Sequence, residues 1–333
     1  MHSLVREGIH RLTYSVPIPG APEVNLYLFE GEESALIDTG PHVNAVYDEF
    51  REDLKAFGFD LRTLSKIVVT HAHLDHAGLA ERIRNDSGAE VLIHHDDIDR
   101  FLVRPSWSAM WIRQHLWISR FWGFEQDQLV DLEHGMRKLI DLSPGVQGDW
   151  LPTSIAHDAT IQLGHHPFRV IHCPGHSAGL ICIVNEEEGL LLGSDHILET
   201  ITPNPTVYVP TYRGCRTGLG HYLDSIHRVR DLAVEQILPG HGAPFTGLAT
   251  RIDEMIRLYN DRHQTVHDLL LETDRTVLDL VDEIFPEQNL LGRYLAAREL
   301  HGHLEILHHE GLIQHQIKEE CGHFRAHPAP LHT

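Results

Sequence analysis

Thr70-His71-Ala72-His73-Leu74-Asp75-His76-Ala77-Gly78 places four side chains that bind metals well within six residues. Neutral imidazole and carboxylate are the donors that suit Zn²⁺ and its neighbours. The stretch follows Ile67-Val68-Val69-Thr70, an apolar, β-branched run that reads as a buried strand. A loop at the end of such a strand is where a rigid scaffold displays catalytic residues. In an extended loop, His71 and His73 point the same way while Asp75 and His76 turn toward a second position, which suits two metals side by side better than one. The chain has 29 histidines, so a polar loop with incidental imidazoles is the bland alternative. The rest of the sequence decides between them.

Three more donors sit in the same kind of place. His176 lies in Cys173-Pro174-Gly175-His176-Ser177-Ala178-Gly179, just after the strand-like Phe168-Arg169-Val170-Ile171-His172. Asp195 closes the apolar run Leu191-Leu192-Gly193-Ser194, with His196 beside it, and His241 follows Ile237-Leu238-Pro239-Gly240. Upstream, Asp38 ends Ala35-Leu36-Ile37 before Thr39-Gly40. Each donor stands where a strand ends in a turn rich in Gly or Pro, so several strand ends can converge on one cleft.

The ordered set LIDTG, THAHLDHAG, PGHSAG, GSDH and PGHG resembles the five motifs of the metallo-β-lactamase fold hydrolases, over residues 8 to 250. Carried over by position, the resemblance implies that His71, His73 and His176 hold one metal and that Asp75, His76 and His241 hold the other. It implies that Asp195 bridges the two, and that Asp38 steadies the histidine loop, since ligand histidines need their free N–H oriented. The implied chemistry is metal-assisted hydrolysis by a bridging hydroxide, with Asp75 orienting that nucleophile and handling its proton. The expected cofactors are two divalent ions, zinc by default, with iron or manganese accepted by the same donors.

At 333 residues, with 42% hydrophobic content, the chain fits one large domain, or a domain plus an appendage. No run approaches the ~20 apolar residues of a membrane span, so no membrane partner is expected. Met1 to Gly8 lacks the apolar core of a signal peptide. Cys173, Cys182, Cys215 and Cys321 show no pairing pattern and read as reduced thiols, which points to the cytoplasm. Acidic residues outnumber Lys and Arg 48 to 27, and only three lysines precede residue 300. A nucleic-acid partner is therefore unexpected, because phosphate contacts demand a basic face.

Alternating strands and helices, with every proposed ligand at a strand end, suit a four-layer αβ/βα sandwich of the α/β (α+β) class with its metal cleft along one edge. Strands are expected within residues 8–40 and at 91–94, and helices over 43–57 and 79–85. Residues 1–250 form the expected catalytic domain. Residues 97–150, where all five tryptophans fall and which Trp150 closes, interrupt it with one or two helices. Trp107 and Trp111 are candidates for an apolar wall over the cleft, and an ordinary packed helical pair is the alternative reading. After Asp195, the proline-rich 201–216 reads as a loop past the site, where Tyr208 or Tyr212 offers a phenol to a developing oxyanion or simply packs. His196 reads as a packing residue.

Residues 251–333 read as a C-terminal helical segment that resembles a winged-helix module at its close. Its acidic side chains argue for packing, homodimerisation or pocket-shaping over DNA binding. Its histidines, among them His301, His303, His308, His309 and His315, read as solvated surface, and its last dozen residues as frayed. The leading functional expectation is a hydrolase of esters, thioesters or lactones acting on a small molecule with an apolar portion. The runner-up is a phosphodiesterase or endoribonuclease on the same metal centre. A low-turnover ligand-binding regulator, or an iron-dependent oxygenase on the same scaffold, ranks lower, as does an exported β-lactamase.

Overall fold

A computed structural model describes residues 3–103, 105–142, 144–208 and 218–327. Tyr212, Cys215 and residues 328–333 lie outside the described residues; of the last dozen residues read as frayed, 322–326 instead pair in a C-terminal hairpin, with Phe324 fully buried.

The first sheet has seven strands in sequence order: β1 (Ser3–Arg6), β2 (Ile9–Tyr14), β3 (Val24–Phe29), β4 (Ala35–Ile37), β5 (Lys66–Val68), β6 (Glu90–His94) and β7 (Thr153–Ile155). It is antiparallel from β1 to β4 and parallel from β4 to β7. The second sheet runs β12-β11-β10-β9-β8, built from β8 (Thr160–Leu163), β9 (His166–His172), β10 (Ile181–Asn185), β11 (Leu190–Ser194) and β12 (Gln236–Pro239). Its one parallel pair joins β11 to β12.

The period-two alternation of side chains assigns each strand residue to one of two cores. Along β3, Tyr27 and Phe29 face the interior between the sheets with Val68, Leu92, Phe168, Ile183 and Leu238. Leu26 and Leu28 face outward. There they meet Val46, Phe50 and Leu54 of α1 (Asn44–Ala56), and Ile83 of a helix from the following crossover. Both faces of the sheet are covered, which is why these strands read as nearly continuous apolar runs rather than alternating ones. The histidine stretch is extended only as far as His73 (ψ 154°) and then turns into one helical turn, α2 (Leu74–Ala77). That turn, rather than an extended loop, redirects Asp75 and His76 away from His71 and His73. The helix carrying Ile83, α3 (Ala80–Ser87), follows at once. Gly78 joins them where a Cβ would lie 2.4 Å from the backbone nitrogen of His42, so only glycine lets the two segments approach.

The insertion comprises α4 (Ile98–Leu102), α5 (Pro105–Trp122) and α6 (Gln126–Asp141). After β11 come α7 (Leu219–Val229), α8 (Leu248–Glu272), α9 (Val277–Ile284) and α10 (Leu290–His309), then the hairpin β13 (Ile313–Lys318)–β14 (Cys321–Ala326). Tyr222 and Ile226 of α7 and Ile252 and Met255 of α8 cover the outer face of the second sheet. Four layers result, α1 and α3, sheet, sheet, α7 and α8, as the sequence implies.

The insertion does not stand alone. Ile118, Phe121, Trp122 and Leu129 share one core with Val266, Leu280, Leu300, Leu304 and Phe324 of the C-terminal segment. Trp122 is fully buried, and truncating it to alanine would cost about 3–5 kcal/mol. The β13–β14 hairpin packs on α5, with the rings of Phe121 and Phe324 edge to face at 6.0 Å. Residues 300 to 307 of α10 are buried without interruption, so His301 and His303 lie in the interior at 0% and 1% exposure. That corrects the reading of these two as solvated surface. A helix enclosed on every side buries whatever its sequence carries. No helix among the described residues is long and apolar enough to cross a membrane.

Candidate metal centre

Four loops at the ends of β5, β9, β11 and β12 bring all seven sequence-predicted donors together. Nε2 of His71 and Nε2 of His176 lie 2.9 Å and 2.8 Å from Nδ1 of His73. Three imidazole nitrogens aimed at one point cannot satisfy one another with protons, whereas a cation among them satisfies all three. A second triad faces it. His241 Nε2 and His76 Nε2 lie 3.5 Å and 3.8 Å from Asp75 Oδ2. Asp195 stands between the triads, its Oδ2 3.4 Å from His176 and 3.3 Å from His241 and its Oδ1 3.3 Å from His76. His71, His73 and His176, and likewise Asp75, His76 and His241, form groups able to hold a metal ion.

The far nitrogens of His71, His76, His176 and His241 are held in place. His76 Nδ1 donates to Asp38 Oδ2 at 2.7 Å, His176 Nδ1 to the Asn204 carbonyl at 2.8 Å, and His241 Nδ1 to the Glu23 carbonyl at 2.8 Å. His71 Nδ1 pairs with the Thr70 hydroxyl at 3.2 Å. These contacts fix tautomer and ring plane, as ligand histidines require. Asp38 also accepts from the Thr70 amide at 2.8 Å, while Thr70 Oγ1 lies 2.7 Å from Ser194 Oγ. Asp38 (φ 60°) and Ser194 (φ 45°) both adopt the left-handed backbone that side chains resist, and this lattice holds them there. The His241 loop is pinned from β3, where Tyr27 Oη and Asn25 Nδ2 donate to the Pro239 carbonyl at 2.9 Å and 3.0 Å. A Cβ on Gly240 would lie 2.2 Å from Asp195 Oδ1, so the site needs a bare backbone there.

The electrostatics fit divalent cations. Burial, reinforced by neighbouring imidazoles or Arg100, holds His71 and His73 well below the usual histidine range, in the neutral form that metals bind. Burial brings His176 down to about 4. Burial would also lower His76, yet Asp195, Asp38 and Asp75 outweigh it and hold that ring well above its usual value. Asp195 is drawn well below the carboxylate range, because His241 and His76 overcome its burial. His76 Nε2 and Asp195 Oδ1 are buried with no hydrogen-bond partner. Buried carboxylates that enforce positive charge, beside orphaned donor atoms, are what a metal centre presents.

Two contributors escaped the sequence reading. Asp97, between β6 and α4, accepts from the Ala72 amide and the Ser177 hydroxyl, both at 2.8 Å, and from the Gly179 amide at 2.9 Å, tying the His73 loop to the His176 loop. Arg100 donates Nε to the Ala72 carbonyl at 3.0 Å. Of the pocket candidates, Tyr208 is half-buried, and burial, with Asp97 and Asp96 nearby, pushes its phenol up to about 12. Trp107 and Trp111 stack along α5 with centroids 6.1 Å apart, and Trp111 lies 4.4 Å from the His115 ring. Among the described residues, neither tryptophan stacks on a ligand histidine. His196 is fully buried against Tyr222, a packing position.

The model of the metallo-β-lactamase superfamily matches residues 19–241. The chain is 27% identical to the probable metallo-hydrolase YqjP of Bacillus subtilis (strain 168), over 90% of this chain and 92% of that one. It is 25% identical to an acyl-coenzyme A thioesterase of Homo sapiens, over 65% of this chain and 72% of that one. The crystal structure of a metallo-β-lactamase family protein from Thermus thermophilus superposes with a TM-score of 0.79 at 25% identity, covering 97% of this chain and all of that one. The matched span contains every donor of both triads, and the divalent metal ions that the superfamily implies have residues here that fit them. This chain belongs to the metallo-β-lactamase superfamily and is a metal-dependent hydrolase.

Proposed function

We propose that the chain hydrolyses the ester, thioester or lactone bond of a small acyl substrate with an apolar portion. The centre would hold two divalent ions, zinc first, with iron or manganese as the alternatives. The observation that carries this reading is the pair of triads with one carboxylate, Asp195, in reach of both. His71, His73 and His176 would hold one ion, Asp75, His76 and His241 the other, and Asp195 would be shared. When bound, such ions supply hydroxide near neutral pH and polarise the scissile carbonyl.

The side chains do the rest. Asp75 has a partly exposed carboxylate (20%) at the edge of the second triad, so it orients the nucleophile and takes its proton. Asp38 and the carbonyls of Asn204 and Glu23 keep three rings aimed inward throughout. Tyr208 keeps its proton across the neutral range and offers it to the developing oxyanion. Trp107 and Trp111 form an apolar wall for the acyl portion. The thioesterase named among the relatives supports the scissile bond. The formal charge of −21 weighs against polyanionic substrates.

The test is metal content together with a substrate panel. Purified protein is expected to carry about two ions per chain. It should turn over an acyl thioester and an aliphatic lactone in preference to bis-p-nitrophenyl phosphate and a short RNA. Turnover of the phosphodiester or RNA alone would replace this reading with a phosphodiesterase. Full metal loading with no turnover of any of them would point to a binding protein.

A further inference from the structure

Two arginines flank the metal centre with no acid paired to them among the described residues. Arg100, in α4, donates Nε to the carbonyl of Ala72, the residue before His73. Arg298, in α10, donates Nη2 at 2.9 Å to the carbonyl of Pro205, the residue after the Asn204 that holds His176. Both guanidinium groups are thus tied to backbone adjoining His73 and His176, whose rings meet at 2.8 Å. Both are half-buried, and Nε of Arg298 is buried with no hydrogen-bond partner. Among the described residues neither arginine forms an ion pair. Burial lowers the pKa of each, and the nearby Asp97, Tyr294 and Asp75 offset that only in part.

This arrangement is unexpected in a chain with 48 acidic and 27 basic residues, where carboxylates are plentiful. Cations withdrawn from water are almost always paired, because an unanswered buried charge is costly. The planar guanidinium fork matches carboxylate and phosphate oxygens bidentately. Beyond the arginines, Tyr294 hydrogen-bonds His115, and His115 packs on Trp111. Tyr294 lies near both arginines, so an aromatic cluster adjoins the cationic pair.

We infer that Arg100 and Arg298 form a subsite beside the metal centre that reads a compact anionic group, a carboxylate or phosphate, on the substrate. The inference rests on the hydrolase reading above and narrows it to anionic acyl substrates. An acidic surface repels extended polyanions, while this local pair admits a single anionic group.

The experiment compares p-nitrophenyl hydrogen glutarate with its methyl-capped ester on the metal-loaded full chain. Wild type should favour the free acid in kcat/KM. R298M and R100M should each lower that preference on the order of tenfold or more, the range of a charge-assisted hydrogen bond. R298K, which keeps the charge without the fork, should retain part of it. No preference in wild type, or an unaltered preference in folded R100M and R298M, overturns the subsite. If R298M fails to fold, R100M and R298K carry the comparison. Calorimetric titration with glutarate and with inorganic phosphate separates the two readings. Binding that R100M or R298M weakens, with no ester turned over, keeps the subsite and removes the ester reading. Equal binding in wild type and variants removes the subsite. Binding of glutarate alone identifies a carboxylate, and of phosphate alone a phosphorylated substrate.

Discussion

Two clusters among the described residues gather histidine and aspartate donor atoms into groups within 4.8 Å, yet only one is built as a metal site. At the centre, His71, His73 and His176 face Asp75, His76 and His241 across Asp195, and the outer nitrogens of His71, His76, His176 and His241 all have partners. At the ends of β6 and β9, His94, Asp96 and His172 also lie within 4.8 Å of one another. There the two rings stack face to face at 3.8 Å, and His172 Nε2 already donates to the Ala178 carbonyl at 2.8 Å. Stacked rings do not converge their lone pairs, and a nitrogen engaged as a donor is unavailable as a ligand. Proximity of donors is common in a chain with 29 histidines; orientation from outside the site separates a centre from a coincidence.

The largest expected effect tests the shared carboxylate. Asp195→Ala should cut turnover by more than about a hundredfold, beyond the range seen for outer partners of a ligand, and lower the metal content measured by mass spectrometry. Wild-type activity with full metal loading in that variant would break the central half of the comparison. Next comes Asp38→Asn, which leaves the ligands in place and weakens only the grip on His76 and Thr70. It should cost roughly 10–100-fold in metal affinity or turnover; no change would show that the outer partner of His76 does not govern the site.

A smaller effect concerns stability against acid. Burial, with His172 and His95 adding to it, holds His94 at about 4, below the ordinary 6.5. As pH falls from 6.5 toward 4 the unfolded chain takes up this proton before the folded one does, so stability is lost across that window. His94→Gln removes the titration, and its melting temperature should fall less than that of wild type between pH 7.5 and 4.5. An equal fall in both proteins would rule His94 out as a source of acid sensitivity. The smallest effect is expected from the paired variant H94A/H172A, with metal content the same as wild type. Loss of one equivalent would promote the peripheral cluster to a site and erase the contrast.

The donors of the centre were legible because each lies in the loop that directly follows a strand, one to eight residues past its end, where a short motif captures both chemistry and position. Asp97 left no such trace. Its partners are the backbone and side chains of residues 72, 177 and 179, and nothing in the local spacing around residue 97 reports a contact so far along the chain. Arg100 and Arg298 were hidden likewise, since their meaning lies in missing acids rather than in any pattern. The strands within residues 8–40 and near 67–70 and 91–94, and the helices over 44–56 and 80–87, followed from periodicity, whereas β1, β7 and the seven-stranded order did not. The buried histidines of α10 did not, because burial there is imposed by the surrounding elements α6, α7, α8, α9 and β13 and not by the helix's own amphipathicity.

The loop at residues 203–205 leans on α10, with Asn204 Nδ2 donating to the Leu295 carbonyl at 2.7 Å and Arg298 holding Pro205. Asn204 also fixes a histidine of the centre, so metal occupancy and docking of α10 are reciprocally linked. For anyone recombining relatives of this enzyme, the safe crossover point is therefore not the end of the sandwich. A chimera that exchanges its last two helices inherits every motif intact and still receives a foreign brace on His176.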